Sequence, residues 1–214
     1  MFNKATIAVM TVFLAACADE GLTPSEGYID VEGGKVWYQV VGSGKATPLL
    51  LLHGGPGAPS HYLQPLEQIA ENRPVIFYDQ LGAGRSPAPN DPALWTVARF
   101  VKELGDVRSA LGLEDVHILG HSWGSMLAMD YLLTEPEGVN SVIFASPALN
   151  VGRWTEDARE LLKALPAETQ AVIERHELEG TTDSPEYQEA VMAYYGMYLS
   201  RSEPWSPHLM DAFE

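Results

Sequence analysis

The sequence predicts an α/β fold, a mainly parallel sheet with helices packed on it and a helical cap after it. Three observations carry this. Short continuous apolar runs at residues 48–52, 74–79 and 115–120 read as strands buried on both faces of a sheet. Helical patterns alternate with them at short spacing, the order that builds parallel strands through crossovers. After Pro147 the character changes, and residues 154–214 read as helices and loops rich in Glu, Ala and aromatics, with no further buried-strand run.

The elements follow in order. Residues 28–31 and 35–41 are strand-like, with Gly33 and Gly34 between them as a hairpin turn. A Gly-rich loop leads into the first buried strand, which ends at Leu52. Residues 61–71 are helical in pattern, and "PVIFYD" at 74–79 is the second buried strand. Over 94–111, Leu94, Val97, Val101, Leu104 and Leu111 recur at helical spacing, and Gly112 stands as a natural C-cap. "DVHILG" at 115–120 is the third buried strand. A helix runs from Trp123 to about residue 134, and a fourth strand occupies about 139–145. The expected organisation is a leader at 1–16, a tether at 17–27, an α/β core at 28–150 and a partial helical cap at 151–214.

A chain of 214 residues is long enough for one domain with a sizeable core. The net charge of −16, from 13 basic and 29 acidic residues, argues against a nucleic-acid partner, whose phosphates need clustered Lys and Arg. Acidity alone names no partner. Cys17 is the single cysteine, which excludes an intramolecular disulfide, and no Cys/His cluster has zinc spacing. Nothing signals a metal or an organic cofactor.

The first seventeen residues, "MFNKATIAVMTVFLAAC", place Lys4 before an apolar run at 5–14 and end in small residues. That is the pattern of a secretory leader, too short to span a bilayer as an anchor. Leu14-Ala15-Ala16-Cys17 resembles the bacterial lipobox. The resemblance implies cleavage before Cys17 and lipidation of Cys17. The mature protein would then sit on a bacterial membrane, facing an extracytoplasmic space such as the periplasm. Ala18, where an Asp would signal inner-membrane retention by analogy with enteric bacteria, points to the outer membrane.

The chemistry gathers in three Gly-rich loops, each directly after a buried strand. "GHSWGS" spans Gly120, His121, Ser122, Trp123, Gly124 and Ser125. A Gly-x-Ser-x-Gly turn between strand and helix presents the serine as a nucleophile. It needs Gly120 and Gly124 because side chains there would collide, and it aims the next helix N-terminus at the reaction centre. "HGGPG" (His53, Gly54, Gly55, Pro56, Gly57) reads as an oxyanion loop. Acyl transfer builds negative charge on a carbonyl oxygen, and the N–H groups of Gly55 and Trp123 are the candidate donors. "DQLGAGRS" begins at Asp79, which reads as a structural hydrogen-bonding residue rather than a catalytic acid.

Together these motifs resemble the α/β-hydrolases, and within them the proline iminopeptidase family. That family shows HGGPG, DQ-x-G-x-G-x-S and GHSWGG or GHSWGS in this order. The resemblance runs from about Tyr28 onward and extends weakly into "YYGMYLSRSEPW", where Tyr198 stands at a position often held by His. It implies Ser122 as nucleophile, a helical cap over the sheet, and a peptide or small acyl substrate. It also implies release of N-terminal residues, often Pro, through an acyl-enzyme.

In this fold the triad runs Ser, Asp, His along the chain, and the last two follow later strands. No such strands are expected here, and the histidines present do not fit the role. His53 belongs to the oxyanion loop, His117 lies in a strand, His121 precedes the nucleophile on the elbow, His61 precedes Ser122 and opens a helix, and His176 and His208 read as cap surface. Asp130 is inside a helix, and Asp157, Asp183 and Asp211 look like cap surface. The expectation is therefore an N-terminal portion of a longer enzyme, inactive alone for want of its triad Asp and His. An esterase, amidase or lactonase on the same scaffold is the alternative activity. A non-catalytic binding lipoprotein is the alternative of a different class.

Overall fold

The computed structural model describes residues 21–212. Cys17 and the expected leader lie outside the described residues.

Six strands form one sheet in the order β1-β2-β4-β3-β5-β6: Ser25–Val31, Gly34–Val41, Val75–Asp79, Leu49–Leu52, Val116–His121 and Val139–Ala145. β4, β3, β5 and β6 are mutually parallel, and β2 runs antiparallel to both β1 and β4. β3 and β4 are buried at every residue. Their period-2 alternation splits the apolar run between two faces. Leu50, Leu52, Ile76, Tyr78 and Ile118 point to one core, and Leu49, Leu51, Val75, Phe77 and Leu119 to the other. Helices α1 (Val97–Ala110) and α2 (Trp123–Leu132) cover the first face with Phe100, Leu104, Val107 and Leu127. The opposite face is covered by Leu63, Leu66 and Ile69 from the segment Ser60–Glu71.

Four details differ from the sequence reading. β1 begins at Ser25, and Leu22 bridges Gly44, so the expected tether joins the sheet before residue 28. The hairpin extends because Glu26 accepts from the Trp37 indole at 2.8 Å. The segment Ser60–Glu71 is wound as 3₁₀ turns with Pro65 inside, a residue whose missing N–H breaks the α-helical ladder. Leu94 sits in a separate short turn. α1 starts only at Val97 because the Thr96 hydroxyl caps it, accepting from the Arg99 N–H at 3.3 Å.

Beyond β6 come α3 (Val151–Leu162), α4 (Ala167–Glu179), α5 (Pro185–Tyr198) and the short α6 (Pro207–Met210). α4 and α5 form a hairpin with its own small core of Leu165, Ile173 and Ala190. Gly180 turns left-handed at the end of α4, and Ser184 caps α5. The fourth departure lies here. His176 is buried rather than on the surface, because it faces α5 and bonds Thr181 at 2.7 Å. Among the described residues no helix is long and apolar enough to cross a membrane.

Candidate active site

The three motif loops follow β3, β4 and β5, which are neighbours in the order β4-β3-β5. Parallel neighbours bring their C-terminal ends together, so HGGPG, DQLGAGRS and GHSWGS converge on one edge of the sheet.

Ser122 occupies the turn from β5 into α2 with φ 52° and ψ −117°, a conformation that L-residues avoid. The flanking glycines are demanded by space. A Cβ on Gly120 would lie 2.3 Å from the Gly124 carbonyl oxygen, and one on Gly124 would lie 2.1 Å from that of Leu52. The elbow thus presses directly onto the end of β3. Trp123 is the first residue of α2, so helix geometry leaves its N–H without an intrahelical partner. Ser125 is fully buried; its hydroxyl donates to the Ser122 carbonyl and accepts from the Ala148 N–H at 3.1 Å.

The HGGPG loop is tied to the loop after β4 by His53. The Gln80 N–H donates to His53 Nε2 at 2.8 Å, so Nδ1 carries the hydrogen and donates to the Gly54 carbonyl at 2.9 Å. Burial lowers the His53 pKa against the opposing pull of the Gly54 bond and Asp79, which keeps the ring neutral. Gly55 adopts φ 111°, and a Cβ there would lie 2.5 Å from the Gly57 nitrogen. The Gln80 side chain then ties all three motifs together. Its amide donates to the His53 carbonyl at 3.1 Å, and its oxygen accepts from the Trp123 indole at 2.9 Å.

Asp79 is a lock on the DQLGAGRS loop. It accepts from the Ser60 N–H at 2.9 Å, the Ser60 hydroxyl at 2.7 Å, and the Arg85 N–H and Nε, each at 3.0 Å. Burial pushes its pKa up, but these bonds and the Arg85 charge more than compensate, and the carboxyl is held below its usual range. The Arg85 guanidinium lies over the Trp37 ring at 3.1 Å from its centroid. Beside the loops lies a cavity of about 460 Å³, lined mainly by Pro56, Gly57, Gln80, Trp95, Phe100 and Trp123.

Residues 47–187 match the family described as alpha/beta hydrolase fold. The chain belongs to that family.

This α/β-hydrolase chain is 49% identical to the proline iminopeptidase of Heyndrickxia coagulans over 180 residues, covering 84% of the chain and 62% of that relative. Among solved structures, VinJ aligns with a TM-score of 0.85 at 32% identity, covering 89% of this chain and 67% of VinJ. The proline iminopeptidase of Mycobacterium smegmatis aligns at 0.77 and 36% identity, covering 88% and 66% respectively. The chain spans about three-fifths of the length of the curated relatives it matches.

Ser122 and Trp123 lie on the turn after β5, and Gly55 lies with His53, Gly54, Pro56 and Gly57 on the adjoining loop after β3, where a Cβ on Gly54 would come within 3.1 Å of Ser122 Cβ. Among the described residues no carboxylate–histidine hydrogen bond adjoins Ser122. His117 Nδ1 meets the Ser141 hydroxyl at 2.7 Å, His121 meets Tyr62, and the contact of His176 with Glu186 lies between α4 and α5. No group of three or more His, Cys, Asp or Glu among the described residues could hold a metal ion.

Three residues of this site went without a role in the sequence reading. Gln80 and Ser125 stood inside quoted motifs, but motif letters do not say which side chains bridge. Tyr62 carried no signal at all, because it lies 59 residues from its partner His121.

Proposed function

We propose that this chain carries the nucleophile and oxyanion half of a serine hydrolase of the proline iminopeptidase type. The observation that carries the reading is Ser122 held at positive φ on a strand-to-helix turn, packed against the end of the oxyanion-loop strand. The similarity to proteins named proline iminopeptidase supports the substrate class.

In this reading the Ser122 hydroxyl attacks the carbonyl carbon of an N-terminal residue, often Pro. Its proton passes to a histidine as the C–O bond forms. The Gly55 and Trp123 N–H groups hold the oxyanion, aided by the α2 N-terminus. The C–N bond then breaks, the amine leaves with the histidine's proton, and water cleaves the acyl-enzyme. The chain covers 62% of the Heyndrickxia coagulans relative, and the proton acceptor and its carboxylate partner are not among the site residues described above. The lipobox-like Cys17 would hold the enzyme on the outer membrane, facing the periplasm.

The test is hydrolysis of a prolyl arylamide by the gene's full translation product, with Ser122→Ala alongside. Turnover that disappears with Ser122→Ala is expected. Turnover that survives Ser122→Ala overturns the assignment. Labelling of the 214-residue chain by a fluorophosphonate would show that its serine is activated without an outside base.

A further inference from the structure

The Ser60–Glu71 segment sends Tyr62 into the site, and the mechanism above gives it no role. Its hydroxyl sits between two motifs. The Gly54 N–H donates to it at 2.7 Å, and it lies 2.7 Å from Nδ1 of His121. A backbone N–H can only donate, so the phenolic hydrogen is left for His121, whose Nδ1 accepts it as a neutral imidazole. Burial raises the phenol to about 12. Burial alone lowers His121, with no charged group contributing. Near neutral pH the hydroxyl therefore keeps its proton and Nδ1 keeps its lone pair. The rings meet edge-on, with centroids 5.1 Å apart.

The two partners matter because of their chain neighbours. Gly54 directly precedes Gly55, and His121 directly precedes Ser122. The space between is already full. A Cβ on Gly54 would lie 3.1 Å from Ser122 Cβ, 3.1 Å from the Tyr62 oxygen and 3.2 Å from His121 Nδ1.

We propose that Tyr62 is a positioning residue, a clamp that bonds Gly54 on one side and His121 on the other. It thereby sets the spacing between the oxyanion loop and the nucleophile. The inference rests on reading Ser122 as nucleophile and Gly55 as an oxyanion donor. A displacement of about 1 Å between such groups costs up to about 100-fold in rate, and the clamp sits one residue from each.

Tyr62→Phe keeps the ring and removes the hydroxyl. In the 214-residue chain, NMR should show the Gly54 amide and the His121 ring nitrogens shifting. The Gly54 amide should also exchange at least about tenfold faster. A residue that serves only by packing would move neither signal. In the full translation product, Tyr62→Phe should lower kcat for a prolyl arylamide about 10- to 100-fold while KM stays within about twofold. His121→Asn, which keeps an acceptor near the Nδ1 position, should lose less than His121→Leu. Tyr62→Phe should cost nothing further in the His121→Leu background. Unmoved NMR signals in Tyr62→Phe overturn the clamp. So does a kcat within twofold of the wild type while Ser122→Ala is dead. If Ser122→Ala makes no difference to turnover, the hydrolase reading falls. The NMR signals then decide by themselves whether Tyr62 joins the two loops.

Discussion

The indole N–H of Trp123 donates to the side-chain oxygen of Gln80 at 2.9 Å, joining the residue after Ser122 to the loop after β4. The same Gln80 receives nothing from solvent. It is 2% exposed, and its amide and backbone N–H both reach back to His53. One side chain thus sets the relative height of three loops.

Gln80→Ala removes both side-chain bonds and leaves the His53 carbonyl and the Trp123 indole N–H short of a partner. The expected loss of stability is about 2–3 kcal/mol. Urea unfolding followed by tryptophan fluorescence measures it. A midpoint unchanged from the wild type would show that the bridge contributes nothing.

Ser122→Gly separates stability from chemistry. The serine sits at positive φ, where glycine fits without strain. The substitution should stabilise the chain by about 1 kcal/mol, the usual size of such strain, while removing the hydroxyl. Thermal unfolding of Ser122→Gly beside Ser122→Ala tests this. Equal melting temperatures would mean that the turn stores no strain.

Two glycines give opposite outcomes when changed to alanine. A Cβ on Gly124 would lie 2.1 Å from the Leu52 carbonyl oxygen, which is backbone and cannot turn aside. Gly124→Ala should destabilise by about 3 kcal/mol or more. Gly105, inside α1, has nothing within 4 Å of such a Cβ. Gly105→Ala should stabilise by about 0.5–1 kcal/mol through helix propensity. Paired denaturation curves compare the two, and a loss of stability in Gly105→Ala would contradict the open space described.

Acid should weaken the fold starting near pH 6.5. Burial lowers the His53 and His121 pKa values from 6.5. The unfolded chain therefore takes up protons near pH 6.5 that the folded chain refuses. Their contribution is neutral above that pH and destabilising below it, until the folded pKa values are passed. Glu103 acts in the other direction, since burial raises its carboxyl from 4.5 despite Arg99. His121→Asn should accordingly flatten the fall in unfolding free energy between about pH 7.5 and about pH 5.5. An identical slope in wild type and His121→Asn would rule His121 out as a source.

Local patterns carried a large part of the fold. The apolar runs gave β3, β4 and β5, and the elbow motif placed Ser122 between strand and helix. Gly112 ends α1 in the left-handed conformation that its position after Leu111 implied. Two departures had local causes, Pro65 inside the 3₁₀ segment and the Thr96 cap of α1. In the other two a side chain from another segment intervened: Trp37 draws Glu26 into the hairpin, and Tyr187 of α5 packs on His176.

By itself the sequence determined where the central strands β3, β4 and β5 lie and that a glycine-rich loop follows each, because periodicity and turn chemistry act over a few residues. Only the tertiary structure decided that Gln80 reaches Trp123 and that Tyr62 reaches both Gly54 and His121. Those bonds depend on the strand order β4-β3-β5, which brings distant loops to one edge. A polar side chain finds its partner across that edge, and no local periodicity records which one it meets.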